Sequence, residues 1–308
     1  MKIFEGNSMD EIEEKIIKYL FEEGVEVAPR KNKCIEIIGC GFTLKNPRNR
    51  IIYNPERKFN LCFAVGELLW YLKGSNNCDM ITFYNKRYSQ FSDNGVDLYG
   101  AYGKRIFNEI NNQWENIIKK LQEDSESRQA VISIFEPKDL TVVSKDIPCT
   151  CHIQYFIRKN KLNCIVTMRS NDIIWGTPYD VFNFTMIQEI LANILNVELG
   201  EYLHFVGSLH IYERHYNFGK KILNKNNYRI ETMDEMPKDF IKQVPKLLRI
   251  EQKIREEKRY YNIEKNETYQ AELINVLNFH LAKRLNNENE KNKYRNEVLE
   301  KYRSLLLK

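Results

Sequence analysis

No apolar run in this sequence approaches the roughly 20 residues needed to cross a bilayer, so no membrane partner is expected. The opening stretch MKIFEGNSMDEIEEKI is acidic and lacks the short apolar core of a signal peptide, which leads to the expectation of a cytoplasmic protein. The seven cysteines, at 34, 40, 62, 78, 149, 151 and 164, are odd in number and contain no C-x-x-C set. Neither a disulfide framework nor a zinc ribbon is indicated. The five histidines form no H-E-x-x-H. Cys151, His152 and His210 are a conceivable metal set, but their spacing does not argue for one, and no metal is expected. Neither G-x-x-x-x-G-K-[ST] nor G-x-G-x-x-G occurs, so the common glycine-rich phosphate cradles are missing, and there is no internal repeat. Charge bias is also small. The 47 basic and 42 acidic residues leave a net +5, too balanced to argue for a nucleic-acid partner.

What is present suits a globular core: 43% hydrophobic and 12% aromatic residues over 308 positions. Ser8-Met9-Asp10-Glu11 reads as a capped helix start leading into the amphipathic stretch Glu11–Glu23. CIEIIGCGFTL (34–44) reads as a strand whose two glycines suggest a bulge or a close backbone approach. FNLCFAVGELLWYLK (59–73) has helical period and ends at Gly74. Glu67 shares its face with Phe63, Trp70 and Tyr71. It is either an edge residue or a buried acid held neutral for proton handling. From about Asp234 the composition shifts to Lys, Glu, Asn, Arg and Leu. Helical stretches are expected at Tyr269–Asn286 and Asn296–Lys308, with the charge runs as solvated faces.

The informative stretch is IPCTCHIQYFIRKNKLNCIVTMRSNDIIWGTPYD (147–180). His152–Arg158 and Leu162–Met168 are β-rich runs around the polar Lys159-Asn160-Lys161, which predicts a hairpin. A regular hairpin about Asn160 brings Cys149 opposite Arg169–Asn171. Cys149 is then either a buried structural thiol or a nucleophile beside a guanidinium. Arg169-Ser170 offers an N–H fork and a hydroxyl, a good phosphate pair. Arg128 holds an anion or lies on the surface. Asp180 precedes a predicted helix over Val181–Asn196, where its plain role is an N-cap. Tyr202–Tyr216 reads as a strand interrupted at Gly207, with His210 and Tyr212 on one face.

Taken together and in order, ELLWYLKG (67–74), YGAYGK (99–104), Pro148-Cys149, Gln154, RSND (169–172), the G-x-P-Y-D turn (176–180) and GSLHIYERH (207–215) resemble the thymidylate synthase superfamily from about Gly24 to Tyr216. The resemblance implies an α/β (α+β) chain with the thymidylate synthase fold. This is a mixed β-sheet packed with helices, joined sheet to sheet in a homodimer, with catalytic domain 1–230 and a charged helical C-terminal extension 231–308. It implies a pyrimidine nucleoside monophosphate as substrate and 5,10-methylenetetrahydrofolate as co-substrate. By resemblance Cys149 attacks C6 of the base, Glu67 orders water and moves protons, and Tyr102 stands near the cysteine. Arg30, Arg169 and Ser170 hold the phosphate, with Arg128 contributed across the dimer. Gln154, Asn171 and Asp180 complete the nucleotide site, His210 and Tyr212 hold the sugar hydroxyl, and Glu67, Asp172 and Gly176 face the folate.

The departures point further. Methylating synthases carry Asn where this chain has Asp180. An Asn amide suits O4 and N3–H of uracil, whereas an Asp carboxyl can accept from the amine of cytosine and share a proton with N3. The residue after the nucleophile is Thr150 rather than His. The folate wall, here Ile81-Thr82-Phe83-Tyr84, lacks Trp. Gln129 replaces the second arginine of an Arg-Arg pair. The sequence ends in SLLLK rather than an apolar tail with a terminal valine. Asp180, RSND (169–172) and GSLHIYERH (207–215) resemble the cytidylate hydroxymethylase branch, and the expected activity is 5-hydroxymethylation of CMP or dCMP. A thymidylate synthase acting on dUMP and a non-catalytic nucleotide-binding scaffold are the alternatives.

Overall fold

The computed structural model describes residues 1–107, 110, 112–225, 228–262 and 268–306. Its strands are β1 (Lys2–Gly6), β2 (Val25–Val27), β3 (Cys34–Leu44), β4 (Val131–Ser133), β5 (Thr150–Arg158), β6 (Lys161–Asp172) and β7 (Glu198–Tyr212). Its helices are α1 (Met9–Glu23), α2 (Leu61–Leu72), α3 (Cys78–Tyr84), α4 (Tyr102–Ile106), α5 (Gln113–Glu123), α6 (Thr177–Leu195), α7 (Tyr216–Leu223), α8 (Phe240–Glu256), α9 (Thr268–Arg284), α10 (Glu288–Glu297) and α11 (Glu300–Arg303). They form two units. The first comprises Met1–Phe59, Trp114–Pro137 and Cys149–Glu235; the second comprises Asn60–Gln113, Lys138–Pro148 and Met236–Lys308.

The first unit is built on a seven-stranded mixed sheet. The strand order is β1-β3-β7-β6-β5-β4, with β2 also pairing β3. The β1–β3 and β6–β7 pairs are parallel and the rest antiparallel. The β5–β6 hairpin turns on Lys159 and Asn160, at φ 50° and 58°. Two successive positive φ values match the right-handed twist of the strands. The loop is therefore two residues, not three, and Lys161 already pairs with Arg158. At the far end Thr150 pairs with Met168 across a bulge, and the Arg169 N–H donates to the Cys149 carbonyl at 2.8 Å. Cys149 thus comes back opposite Arg169.

The strand at 198–212 runs unbroken through Gly207, where the sequence suggested an interruption. The reason for glycine is proximity: a Cβ there would lie 2.7 Å from the Arg169 carbonyl oxygen. Helix α6 is buried over most of its length, from Val181 to Ala192. Its Gln188 amide donates to the Leu162 and Glu201 carbonyls at 2.9 and 3.1 Å, seating it on β6 and β7. Glu189, on the same helix, accepts from Arg48 at 2.7 Å and from Arg50. Arg50 and Glu189 are 0% and 1% exposed. At α1, Ser8 caps the Glu11 N–H as its sequence promised. Glu13, on the same helix, holds Arg57 at 2.9 Å, and Arg57 donates to the Ile174 carbonyl. That contact anchors the segment leading into α6.

The second unit is helical. The Cys62 thiol of α2 donates to the Val276 carbonyl of α9 at 3.5 Å, and Tyr84 donates to Glu251 of α8 at 3.0 Å. His280 of α9 meets the Phe83 carbonyl at 2.7 Å. The late helical segments therefore pack with 60–113 rather than standing apart as solvated rods. The charge run around 251–256 is not wholly a solvated face, because Glu251 is fully buried and pairs with Arg255 at 2.8 Å. The helix expected over 296–308 breaks at Val298, and Leu307 and Lys308 lie outside the described residues. Among the described residues no helix is long and apolar enough to cross a membrane.

Removing Glu189 leaves Arg50 as a buried charge without its carboxylate. Glu189→Ala is expected to lower the unfolding free energy by about 3–5 kcal/mol, read by urea denaturation. Lys161→Ala, which removes an exposed pair with Glu198, is expected to change it by less than about 1 kcal/mol.

Candidate active site

The C-terminal end of β6 and the start of α6 collect most of the residues singled out by sequence. Cys149 lies just before β5 and is half-buried, as is Cys151; the other five cysteines are buried. The Ser170 hydroxyl donates to the Cys149 thiol at 3.7 Å, and the Arg169 guanidinium donates to the Ser170 oxygen at 3.2 Å. Thiol, hydroxyl and guanidinium therefore form one contiguous group, with Arg169 exposed to solvent.

Asn171 is the next residue and points the other way, into the protein. Its Nδ2 donates to Asp180 Oδ2 at 2.8 Å. Asp180 is inside the first turn of α6, whose N-cap is Gly176. Its carboxylate thus serves Asn171 and not a backbone N–H, which removes the N-cap reading. Burial pushes the Asp180 carboxyl up to about 7, opposed by the Asn171 hydrogen bond. Gly176 makes this contact possible: a Cβ there would lie 2.8 Å from Asn171 Nδ2 and 3.3 Å from Asp180 Oδ2.

Register brings Asp172 of β6 beside His210 of β7, and His210 beside Glu36 of β3. Asp172 accepts from the Ile174 N–H at 2.8 Å. His210 and Tyr212 pack edge to face at 4.9 Å, and the Arg214 guanidinium sits 4.1 Å over the Tyr212 ring. Asp172, Ser170, Asn171, Cys149, Asp180, His210 and Tyr212 therefore share one end of the sheet.

Other expected residues lie elsewhere. Gln154 is five residues along β5 from Cys149, and its amide donates to the Arg128 carbonyl at 2.8 Å. Arg128 is exposed and lines a polar cavity of about 560 Å³ with Lys120, Ser127 and Arg158. Arg30 is exposed in a short helical turn, at φ 50°. Glu67 and Tyr102 belong to the second unit. Glu67 is 3% exposed on α2 and accepts from the Tyr88 hydroxyl; Tyr102 packs on Tyr71 at 5.7 Å.

Three features escaped the sequence reading. Tyr88 sits in a polar run with no periodicity to flag it. Trp175, 40% exposed beside Gly176, stacks on His215 at 5.6 Å and donates to its Nε2 at 2.9 Å. Tyr202 and His204 lie behind Asn171: His204 Nε2 is 3.2 Å from Asn171 Oδ1, and its Nδ1 is 2.8 Å from the Tyr202 hydroxyl. They share the face of β7 that carries His210 and Tyr212, and that two-residue alternation could have found them. Among the described residues no group of three or more His, Cys, Asp or Glu side chains could hold a metal.

The raised Asp180 carboxyl has a consequence for stability. Its folded form keeps a proton that the unfolded chain releases near 3.8, so its contribution is present at low pH and lost as pH rises toward about 7. Asp180→Asn is expected to flatten that decline, read as a shallower fall of the melting temperature between pH 4 and 7 than in the parent.

The model of one protein family, described as thymidylate synthase, matches residues 14–254. Deoxyuridylate hydroxymethyltransferase of Bacillus phage SP01 is 33% identical over 227 residues, 69% of this chain and 59% of that protein. Thymidylate synthase of Buchnera aphidicola subsp. Schizaphis graminum (strain Sg) is 29% identical over 175 residues, 54% of this chain and 65% of that protein. The chain thus spans about three fifths of the length of these curated relatives. The solved structure of the thermostable thymidylate synthase A from Bacillus subtilis superposes with a TM-score of 0.65 at 23% identity, covering 76% of this chain and 91% of that one. That likeness establishes the fold, a mixed sheet packed with helices. The matched stretch contains all of β5, β6 and α6, and by it the chain belongs to the thymidylate synthase family.

Proposed function

We propose that this protein transfers a one-carbon unit from 5,10-methylenetetrahydrofolate to C5 of a cytidine monophosphate, CMP or dCMP, and that water completes the product as 5-hydroxymethyl-cytidylate. The observation that carries this reading is Asp180. It stands at the strand end that holds Cys149 and Ser170, with Oδ2 anchored by Asn171 and its other oxygen taking no hydrogen bond among the described residues. A carboxyl that titrates near 7 can offer one acceptor and one donor together. Cytosine asks for that pair through its exocyclic amine and N3.

The residues divide the work as follows. Cys149 adds to C6 and makes C5 nucleophilic. C5 bonds to the methylene carbon and loses its proton, and tetrahydrofolate departs, leaving an exocyclic methylene. Water adds to that carbon, and the thiolate leaves C6. Arg169 and Ser170 hold the 5′-phosphate, His210 and Tyr212 the sugar hydroxyl, and Asp172 faces the folate. Arg30, and Arg128 from the other subunit of a homodimer, complete the phosphate site. The roles of Glu67 and Tyr102 in proton handling rest on the family resemblance alone.

A second reading has its own support. The phage relatives named deoxyuridylate hydroxymethyltransferase favour the same chemistry on dUMP. Asp180→Asn separates the two. On the cytidylate reading it moves the kcat/KM preference from cytidylate toward uridylate by about tenfold or more. A parent that already prefers dUMP, with no shift on substitution, contradicts the cytidylate reading. Cys149→Ala is expected to abolish C5–H exchange; substantial exchange in that variant would contradict its role as nucleophile.

A further inference from the structure

Asp180 is only the last member of a chain of polar groups running through the interior of the first unit. Tyr202 and His204 are 0% exposed and Asn171 3%. Buried polar groups on this scale are held by their partners, and here the partners form a line: the Tyr202 hydroxyl, His204 Nδ1 and Nε2, Asn171 Oδ1 and Nδ2, then Asp180 Oδ2. The His204 ring lies flat on Phe42, centroids 4.7 Å apart and 15° from parallel, so it does not swing.

The direction of each bond follows from what each group can donate. Burial drives the His204 imidazole down to about 3, so it is neutral and carries one N–H. Burial also keeps the Tyr202 phenol protonated. The amide has Nδ2 toward Asp180 and Oδ1 toward His204, so the imidazole proton sits on Nε2 and donates to Oδ1, and the Tyr202 phenol donates to the bare Nδ1. The opposite tautomer would turn every bond around and present an amide oxygen to Asp180. The Thr177 hydroxyl also reaches Asn171 Oδ1, but it is a rotor with a second acceptor, the Asp172 carbonyl at 3.2 Å. His204 is therefore the partner with a fixed direction.

We infer that Tyr202 and His204 are positioning residues that set base selectivity through Asn171, by fixing which oxygen of the Asp180 carboxyl accepts and which carries the proton. The inference rests on the reading of Asp180 as the base-contacting group. With Asn171 Nδ2 donating to Oδ2, that oxygen stays an acceptor and the proton resides on Oδ1. A base edge meeting the carboxyl then encounters one acceptor and one donor in a fixed order. Cytosine and uracil present opposite orders at position 4 and N3, so a fixed order accepts one and rejects the other. Without the relay the amide can turn over, the proton can move to Oδ2, and the carboxyl can serve either base.

The test is calorimetric binding of dCMP and dUMP, the same sugar in both, to the parent and to Tyr202→Phe, His204→Phe and His204→Gln. Tyr202→Phe deletes one oxygen. His204→Phe keeps a flat ring on Phe42 and removes the donor. His204→Gln restores an N–H near the Nε2 position. The expected result is that the ratio of the two Kd values falls by about tenfold or more in both Phe variants and stays close to the parent's in His204→Gln. Because Tyr202→Phe is a small change, it decides the matter even if His204→Phe does not fold. Undiminished discrimination in Tyr202→Phe overturns the inference, and so does equal loss in all the variants, which would mark a structural role. A parent that prefers dUMP overturns the cytidylate reading but leaves the relay standing if the Phe variants still lose discrimination. A parent that discriminates between neither overturns the relay.

Discussion

The two-residue turn at Lys159-Asn160 is the constraint on which the site depends. Side chains on a strand alternate with period two, so a slip of one residue in β5–β6 pairing would exchange the faces of the whole strand. The turn sets Arg158 against Lys161 and holds that register as far as His152; the bulge between Thr150 and His152 then shifts it by one residue and delivers Cys149 to Arg169 and Ser170. The parallel pairing of β6 with β7, regular from Cys164 onward, sets Asp172 beside His210. Cys149, Arg169, Ser170, Asp172 and His210 are thus positioned by backbone hydrogen bonds several strands wide. Loops contribute little to that precision.

Polar groups in the interior do a second kind of positioning. Arg57 holds the Ile174 carbonyl ahead of α6, Gln188 seats the helix on two strands, and Asn171 ties its first turn back to β6. Each is a buried hydrogen bond whose loss would leave an unsatisfied partner, which makes the geometry all-or-none. The glycines belong to the same design. Gly207 admits the Arg169 backbone and Gly176 admits the Asn171–Asp180 contact, so both are fixed by close approach.

Much of this was legible from residue pattern. The hairpin, the Ser8 cap, the α2 helix and the shared face of His210 and Tyr212 followed from alternation and capping chemistry. The thymidylate synthase resemblance rested on motifs in order, and the family match bears it out. What stayed hidden depended on partners distant in sequence. Asp180 looked like an N-cap because position alone cannot show that Asn171, nine residues earlier, takes its carboxylate. Gly207 looked like an interruption because the carbonyl it accommodates belongs to another strand. Tyr88 gave no signal, since only folding brings it to Glu67. Residues 231–308 read as a charged extension with solvated faces because helical periodicity does not reveal which helices a segment packs against.

The most direct test of the account is tritium release from C5-labelled CMP, dCMP and dUMP, each with methylenetetrahydrofolate, with the product mass taken. The account predicts release from a cytidylate, a hydroxymethyl product and no dihydrofolate. Release from dUMP alone, with dihydrofolate formed, would contradict it and identify a methylating enzyme whose Asp180 does not select cytosine.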